Sequence, residues 1–427
     1  MKIRYILACL AVGCLTGLGG MALSWILHAV QHIAYGYSLQ HVISEESFLR
    51  GSIAAAPLRR LSVLVFCGAV VGIGWGLLRH FGSRLVSIPQ AVAANKSVMP
   101  FWTTLIHVLL QIVTVGLGSP LGREVAPREL GSLIGEKFAF LGHLSENQRR
   151  ILVACGAGAG LASVYNVPLS GALFALEALL VTWASPVVIV ALLTSALAAR
   201  MAWIVLGNSM VYHVPSWPVD THLMILALLA GPVFGFAANN FRVWSQKITA
   251  GRIKDNRRLA WVAILCFAVI GLLSMWFPEI LGNGKGPVSL AFNNSLSGMQ
   301  AGQLFLLKIV AIFLALWAGA YGGVLTPGIS LGALLAVVIG QIWNIWLPPV
   351  AIGAFAIVGG AAFLASSMKM PITAMALVIE FARTGHDFLI PIALAVAGSV
   401  AVSSLLDKKR REATVSTPQN SVISRLG

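Results

Sequence analysis

Gly118 to Gly135, GSPLGREVAPRELGSLIG, sets Arg123, Glu124, Arg128 and Glu129 between apolar runs, one of them Phe101 to Gly118, FWTTLIHVLLQIVTVGLG. Ionisable groups at membrane depth are expensive, so they face protein or a water-filled path and carry function. Gly118, Pro120, Gly122 and Pro127 break the chain just before a helical pattern resumes near Arg128. Broken backbone at that depth survives where it is buried in protein or lines a cavity, and a helix that starts there points unpaired N–H groups at an anion. The segment reads as an anion path with a carboxylate, Glu124, beside it.

The apolar setting is general. Of 427 residues 58% are hydrophobic and 10% charged, and the mean hydropathy is +0.87. These values lie outside the range of soluble domains and predict an all-α, polytopic membrane protein. The apolar start, Tyr5 to Val30, follows Lys2 and Arg4. It is too long for a signal-peptide core and lacks a small-residue cleavage site, so a retained first helix is expected. The net charge of +15 gathers at Lys2/Arg4, Arg59/Arg60, Arg149/Arg150, Arg252 to Arg258 and Lys408 to Arg411. That pattern reads as a positive-inside signature and not as a nucleic-acid patch, and it places both termini in the cytoplasm. The five cysteines, Cys9, Cys14, Cys67, Cys155 and Cys266, lack metal-ligand or disulfide spacing and read as small core residues.

Two halves share one grammar. Gly122 and Pro127 stand 200 positions before Gly322 and Pro327, and Gly82 stands 200 before Gly282. Pro168 precedes Pro371 by 203, a register that also superposes Gly156 on Gly359, Leu161 on Leu364, Ala162 on Ala365, Ser163 on Ser366 and Glu177 on Glu380. Paired interrupted hydrophobic segments point to a transporter-type repeat with the ion site at its interface. The loop Tyr212 to His222, which holds Trp217 and no Lys or Arg, fits the outer interface and marks the midpoint. The expected division is a first repeat over 1–215, a second over 216–406 and a basic cytoplasmic segment over 407–427.

Gly122-Arg123-Glu124 resembles the Gly-Arg-Glu anion-path motif of the CLC family of anion channels and anion/proton antiporters. Gly323-Val324-Leu325-Thr326-Pro327 resembles its Gly-x-Phe-x-Pro motif, and Ser87-Ile88-Pro89 the end of its Gly-Ser-Gly-Ile-Pro motif. Gly160 to Glu177 is similar to the segment that follows the gate in that family, so the resemblance runs through nearly the whole chain in order. It implies an inverted two-repeat bundle and a homodimer in which each subunit has its own pore, with no cofactor and no metal. It assigns Glu124 as the gating and proton-carrying carboxylate. Gly122, Arg123, Val125, Val324, Leu325 and Thr326 fall at the anion path, where Val324 and Leu325 supply backbone N–H groups. The transported species are then an inorganic anion and a proton. Without the resemblance, Glu124 reads equally as an acid favoured by a helix N-terminus.

The departures from the family pattern select a branch. Val86, or else Ser87, stands where chloride-transporting members carry an anion-coordinating serine, and Asn420 where they carry an inner tyrosine. Ala178 stands where many antiporters have an internal glutamate, and the gate motif continues Val125-Ala126-Pro127. Together with Thr326 these features resemble the fluoride-specific bacterial branch, which implies fluoride export driven by protons across the bacterial inner membrane. Thr326 has two open readings: a hydroxyl donor to a strongly hydrated anion, or a helix-start residue that satisfies its own turn. Glu177 and Glu380 read as acids hydrogen-bonded to neighbouring breaks or as residues at helix ends near the inner surface, with an inner proton route a further reading for Glu177. Arg123 and Arg128 are expected to partner Glu129 or a helix C-terminus, and His107 to be a satisfied core residue. No His-Glu-x-x-His, Gly-x-Ser-x-Gly or P-loop pattern is present, which removes the parts an enzyme or ATP-driven pump needs. A chloride/proton antiporter, a passive chloride channel and a receptor-like membrane protein are the competing readings.

Overall fold

A backbone in lipid has no water to bind and must close its hydrogen bonds along its own axis, so the apolar runs become helices. The computed structural model describes residues 3–37, 47–93, 98–253 and 255–415, and among these the architecture is all-helical with one isolated β-bridge. The first half holds α1 (Ile3–Tyr35), α2 (Phe48–Ala54), α3 (Pro57–Phe81), α4 (Ile88–Val92), α5 (Phe101–Gly116), α6 (Val125–Leu141), α7 (Glu146–Tyr165), α8 (Pro168–Phe174) and α9 (Ser185–Leu206). The second holds α10 (Thr221–Ala250), α11 (Asn256–Ser274), α12 (Lys285–Phe292), α13 (Gly298–Trp317), α14 (Leu325–Trp346), α15 (Ile352–Met368), α16 (Pro371–Ala382) and α17 (Leu389–Val415). Seven described helices are long and apolar enough to cross a bilayer: α1, α3, α9, α10, α13, α14 and the stretch 386–413 that contains most of α17. Others, such as α8 with 7 residues, rise about 1.5 Å per residue and stop well short of a hydrocarbon core about 30 Å thick.

Matching helix ends recur in the two halves of the backbone. Helix α5 closes at Gly118 (φ +100°), with Ser119 N–H returning to the Thr114 carbonyl at 3.0 Å. Helix α13 closes in the same way at Gly319 (φ +81°), with Ala320 N–H on the Ala315 carbonyl at 3.1 Å. Both are left-handed helix ends that glycine adopts without steric cost, and they turn the chain toward the starts of α6 and α14. Asn166 (φ +56°) and Lys369 (φ +56°) end α7 and α15 just before Pro168 and Pro371 restart the chain.

Glu177 and Glu380 join the halves reciprocally. Glu177 accepts the N–H groups of Ile372 (3.0 Å) and Thr373 (2.7 Å) at the start of α16, together with the Thr373 hydroxyl. Glu380 accepts those of Leu169 (3.0 Å) and Ser170 (2.7 Å) at the start of α8, together with the Ser170 hydroxyl. Each acid thus satisfies the orphan donors of the other half's broken helix, as expected from the sequence, although the partner comes from the opposite repeat.

The packing carries two further findings. Helix α1 lies against α6, α7 and α9, buried along a stripe from Tyr5 through Gly13, Gly17 and Leu27, so it is an integral part of the bundle. Arg59 and Arg60 depart from the positive-inside expectation. Arg59 donates to the carbonyls of Ile33 and Ala34 at the C-terminal end of α1, and buried Arg60 to those of Ser52, Ala55 and Met275. Because α1 is about 50 Å long, these arginines sit at the opposite end of it from Arg4. They compensate helix C-termini and do not belong to the basic face that Arg4 begins.

Candidate functional site

The starts of α6 and α14 meet face to face. Gly122 and Gly323 pair as an antiparallel bridge, Gly122 N–H to Gly323 O at 2.7 Å and Gly323 N–H to Gly122 O at 2.8 Å. Superposition of the two halves by their prolines had matched Gly122 with Gly322, whereas the bridge partner is Gly323. Glu124, the residue before α6, is fully buried and its carboxylate lies across this junction. Oε1 accepts the Leu325 N–H (2.9 Å), and Oε2 lies within hydrogen-bond reach of the Thr326 hydroxyl (3.2 Å) and the Tyr165 hydroxyl (3.3 Å). A methyl group on Gly323 would come within 1.8 Å of Oε1, and one on Gly122 within 2.1 Å of Oε2. The two glycines are therefore the walls of a seat sized to a carboxylate.

The other expected residues take distinct places. Leu325 supplies its N–H, while Val324 and Val125 stand at the first turns of α14 and α6. Thr326 is buried and spends its hydroxyl on Tyr165 (2.8 Å) and Glu124, away from its own turn. Arg123 donates to the Val164 carbonyl (3.1 Å), near the C-terminal end of α7, with its guanidinium 4.9 Å from the Tyr165 ring centre. Arg128 donates from Nε to the Glu124 carbonyl (2.9 Å) and lies over the Phe174 ring. Arg123 thus takes the helix C-terminal end that the sequence offered it, and Arg128 acts on Glu129 through its charge without a hydrogen bond to it. Glu129 is instead held by Gln111 Nε2 (2.7 Å) and faces His107 Nε2 at 3.5 Å. His107 Nδ1 in turn accepts the Trp75 indole N–H at 2.8 Å, which leaves the ring proton on Nε2 toward Glu129. Val86 and Ser87 lie at the start of α4, Val86 packed against the main core and Ser87 exposed, with its N–H on the Gln90 side chain (2.9 Å). Their described contacts do not reach Glu124. Asn420 lies outside the described residues.

Two participants were not picked out from the sequence. Tyr165, the last residue of α7, brings a phenol to the carboxylate, and Asn283, in the break before α12, donates its amide to that phenol at 3.4 Å. The only local signal at Tyr165 is a polar tip at the end of a run of small residues, immediately before the Asn166-Val167-Pro168 break. Chemically, the site gathers one backbone N–H and two hydroxyls around a position at two helix starts. Such a position favours an anion, whether the carboxylate itself or an ion that replaces it. Among the described residues no cluster of His, Cys, Asp and Glu is arranged to hold a metal ion.

Comparison with known proteins supplies an independent line. The family whose model matches residues 67–404 is described as voltage gated chloride channel. The H(+)/Cl(-) exchange transporter ClcA of Vibrio cholerae is 28% identical over 415 residues, covering 93% of this chain and 86% of its own. That of Cronobacter sakazakii is 26% identical over 410 residues, with 92% and 88% covered. Among solved structures, a slow cyanobacterial Cl-/H+ antiporter superposes with a TM-score of 0.82 at 20% identity, covering 99% of this chain and 100% of the other. A CLC-type fluoride/proton antiporter superposes with 0.73 at 20% identity, covering 93% and 95%. At that identity both structures establish the fold.

Proposed function

The chain belongs to the voltage gated chloride channel (CLC) family, and on that premise we propose that it is an anion/proton antiporter in which Glu124 both closes the anion path and carries the proton. One observation carries the reading: the Glu124 carboxylate occupies a seat made of the Leu325 N–H, two hydroxyls and two glycine walls. An ionised carboxylate is an anion and competes for that seat with the transported one. Protonation removes its charge and with it the attraction to the starts of α6 and α14. The neutral side chain leaves, an anion takes the position, and the proton travels with the carboxyl. The protein is a transporter of a multi-pass membrane family, so no bond-making chemistry is assigned to it.

Chloride is the anion we favour, because the sequence relatives named above are H(+)/Cl(-) exchange transporters. Fluoride is the second reading, motivated by Val86 in place of a serine and by the Thr326 hydroxyl turned into the seat. Purified protein in liposomes, with chloride and fluoride efflux followed by ion-selective electrodes, separates the two. Coupled chloride efflux at least equal to that of fluoride supports the first, and fluoride efflux that far outruns chloride assigns the second. The homodimer, cytoplasmic termini in a bacterial cell membrane and the division near residue 215 belong to the same proposal. The reciprocal caps of Glu177 and Glu380 support the two-repeat division, and Arg4, Arg149/Arg150 and Lys408 to Arg411 support the orientation. Cross-linking in detergent that yields monomer alone would count against the dimer.

A further inference from the structure

Tyr165 is nearly fully buried, and its phenol oxygen meets three polar groups: Thr326 Oγ1 at 2.8 Å, Glu124 Oε2 at 3.3 Å and Asn283 Nδ2 at 3.4 Å. Each hydroxyl has one proton to give, whereas the asparagine amide nitrogen can only donate. With the carboxylate seated, one of the two hydroxyl protons serves the Tyr165–Thr326 contact and the other points at Oε2. With the carboxylate gone, Asn283 still fills an acceptor site on the phenol oxygen, so both hydroxyls can turn their protons toward an incoming anion. We propose that Tyr165 is a specificity-determining residue of the transport cycle, holding ionised Glu124 in the closed gate and giving its O–H to the halide that replaces it. The proposal rests on Glu124 being the gate.

The surroundings fix this phenol without using its hydroxyl. Arg123 lies 4.9 Å from the ring centre on one side, and the Phe381 ring meets it edge-on at 5.1 Å. Asn283 is set by a turn that a buried lysine clamps: Lys308 Nζ donates to the carbonyls of Ile280 (2.7 Å) and Gly282 (2.6 Å). The Gly282 N–H then reaches the Gly118 carbonyl at 3.0 Å, which ties the turn to the end of α5. The amide that keys Tyr165 is thus located by both halves. O–H donors to an ion bind most strongly to the smallest and hardest halide, so the hydroxyl pair should weight the seat toward small anions.

Tyr165→Phe removes the oxygen and keeps the ring. The test is flux of fluoride, chloride and bromide in proteoliposomes, with proton flux recorded alongside, for the wild type, Tyr165→Phe, Asn283→Ala and Glu124→Gln. Tyr165→Phe should shift the halide preference toward the larger ion by about tenfold, as loss of one hydrogen bond to a charged partner implies, and should raise the uncoupled share of anion flux. Asn283→Ala should move both readouts in the same direction by less. If Glu124→Gln loses coupling while Tyr165→Phe keeps the wild-type halide order and coupling ratio, the gate stands and Tyr165 is removed from it. If Glu124→Gln keeps its coupling, the gate reading fails and this proposal fails with it. Should Tyr165→Phe not be recovered folded, an unchanged halide order in Asn283→Ala overturns the proposal.

Discussion

Filling the seat should stop transport, and Gly323→Ala is the smallest change that fills it. The added methyl would lie 1.8 Å from Glu124 Oε1, 2.3 Å from Cδ and 2.8 Å from Cγ. Every one of those atoms belongs to the far end of a flexible side chain, so the carboxylate moves and the fold stays. Gly323 is not among the left-handed glycines, and its N–H and carbonyl both remain available to Gly122. What is lost is the Leu325 N–H contact and a hydroxyl contact to an ionised carboxylate, at about 1.5–3 kcal/mol each, together about 3–6 kcal/mol. Occupancy of the seat by the carboxylate then falls by roughly two to four powers of ten, and an anion larger than one oxygen is excluded by the same methyl. Coupled turnover in proteoliposomes should drop at least about a hundredfold on that arithmetic, with the protein still monodisperse in detergent. Gly322→Ala is the contrast, since its methyl meets Leu121 Cβ at 2.7 Å and not the carboxylate. Turnover and coupling within about threefold of wild type in Gly323→Ala, far short of the loss two such bonds imply, would refute the idea that carboxylate and anion share this position.

Glu177→Gln and Glu380→Gln should lower thermal stability by similar amounts, roughly 1–3 kcal/mol each, because each acid accepts an equivalent set of three donors, two N–H and one hydroxyl, from the other half's helix start. Unequal losses by scanning fluorimetry in detergent would break the equivalence of the halves. Lys308→Met should cost about 2–3 kcal/mol by leaving the Ile280 and Gly282 carbonyls without their donor, read as an earlier denaturation midpoint; no change would mean that the 278–284 turn holds itself.

The paired chain breaks and the helix start at Glu124 were legible in the sequence because they depend on local chemistry. Gly118 and Gly319 are demanded by left-handed helix ends, Pro168 and Pro371 by helix restarts, and a carboxylate between two breaks is conspicuous in an apolar chain. Glu177 and Glu380 were legible as an equivalent pair, but the exchange of partners across the halves depends on how the repeats dock. Tyr165 and Asn283 gave little signal, since their role arises from hydroxyl and amide tips 118 residues apart in the chain. The hydrogen-bond partner of Glu129 gave no signal for a related reason: α5 supplies Gln111 and His107 where its carboxylate faces, while Arg128, its neighbour in sequence, acts on it through charge alone. Arg59 and Arg60 read as loop charge in one dimension and turn out to be ligands of helix ends in three.

The central claim is that Glu124 carries the proton from the seat it occupies, and one measurement addresses it directly. Proteoliposomes containing wild-type protein and Glu124→Gln, loaded with chloride or fluoride, are given an inward proton gradient, and uphill anion movement is recorded with an ion-selective electrode. Glutamine keeps the shape of the side chain and cannot exchange a proton. Wild type should drive the anion against its gradient, whereas Glu124→Gln should show either no anion movement or movement that only dissipates the anion gradient. Undiminished proton-driven uphill anion efflux by Glu124→Gln would contradict the account.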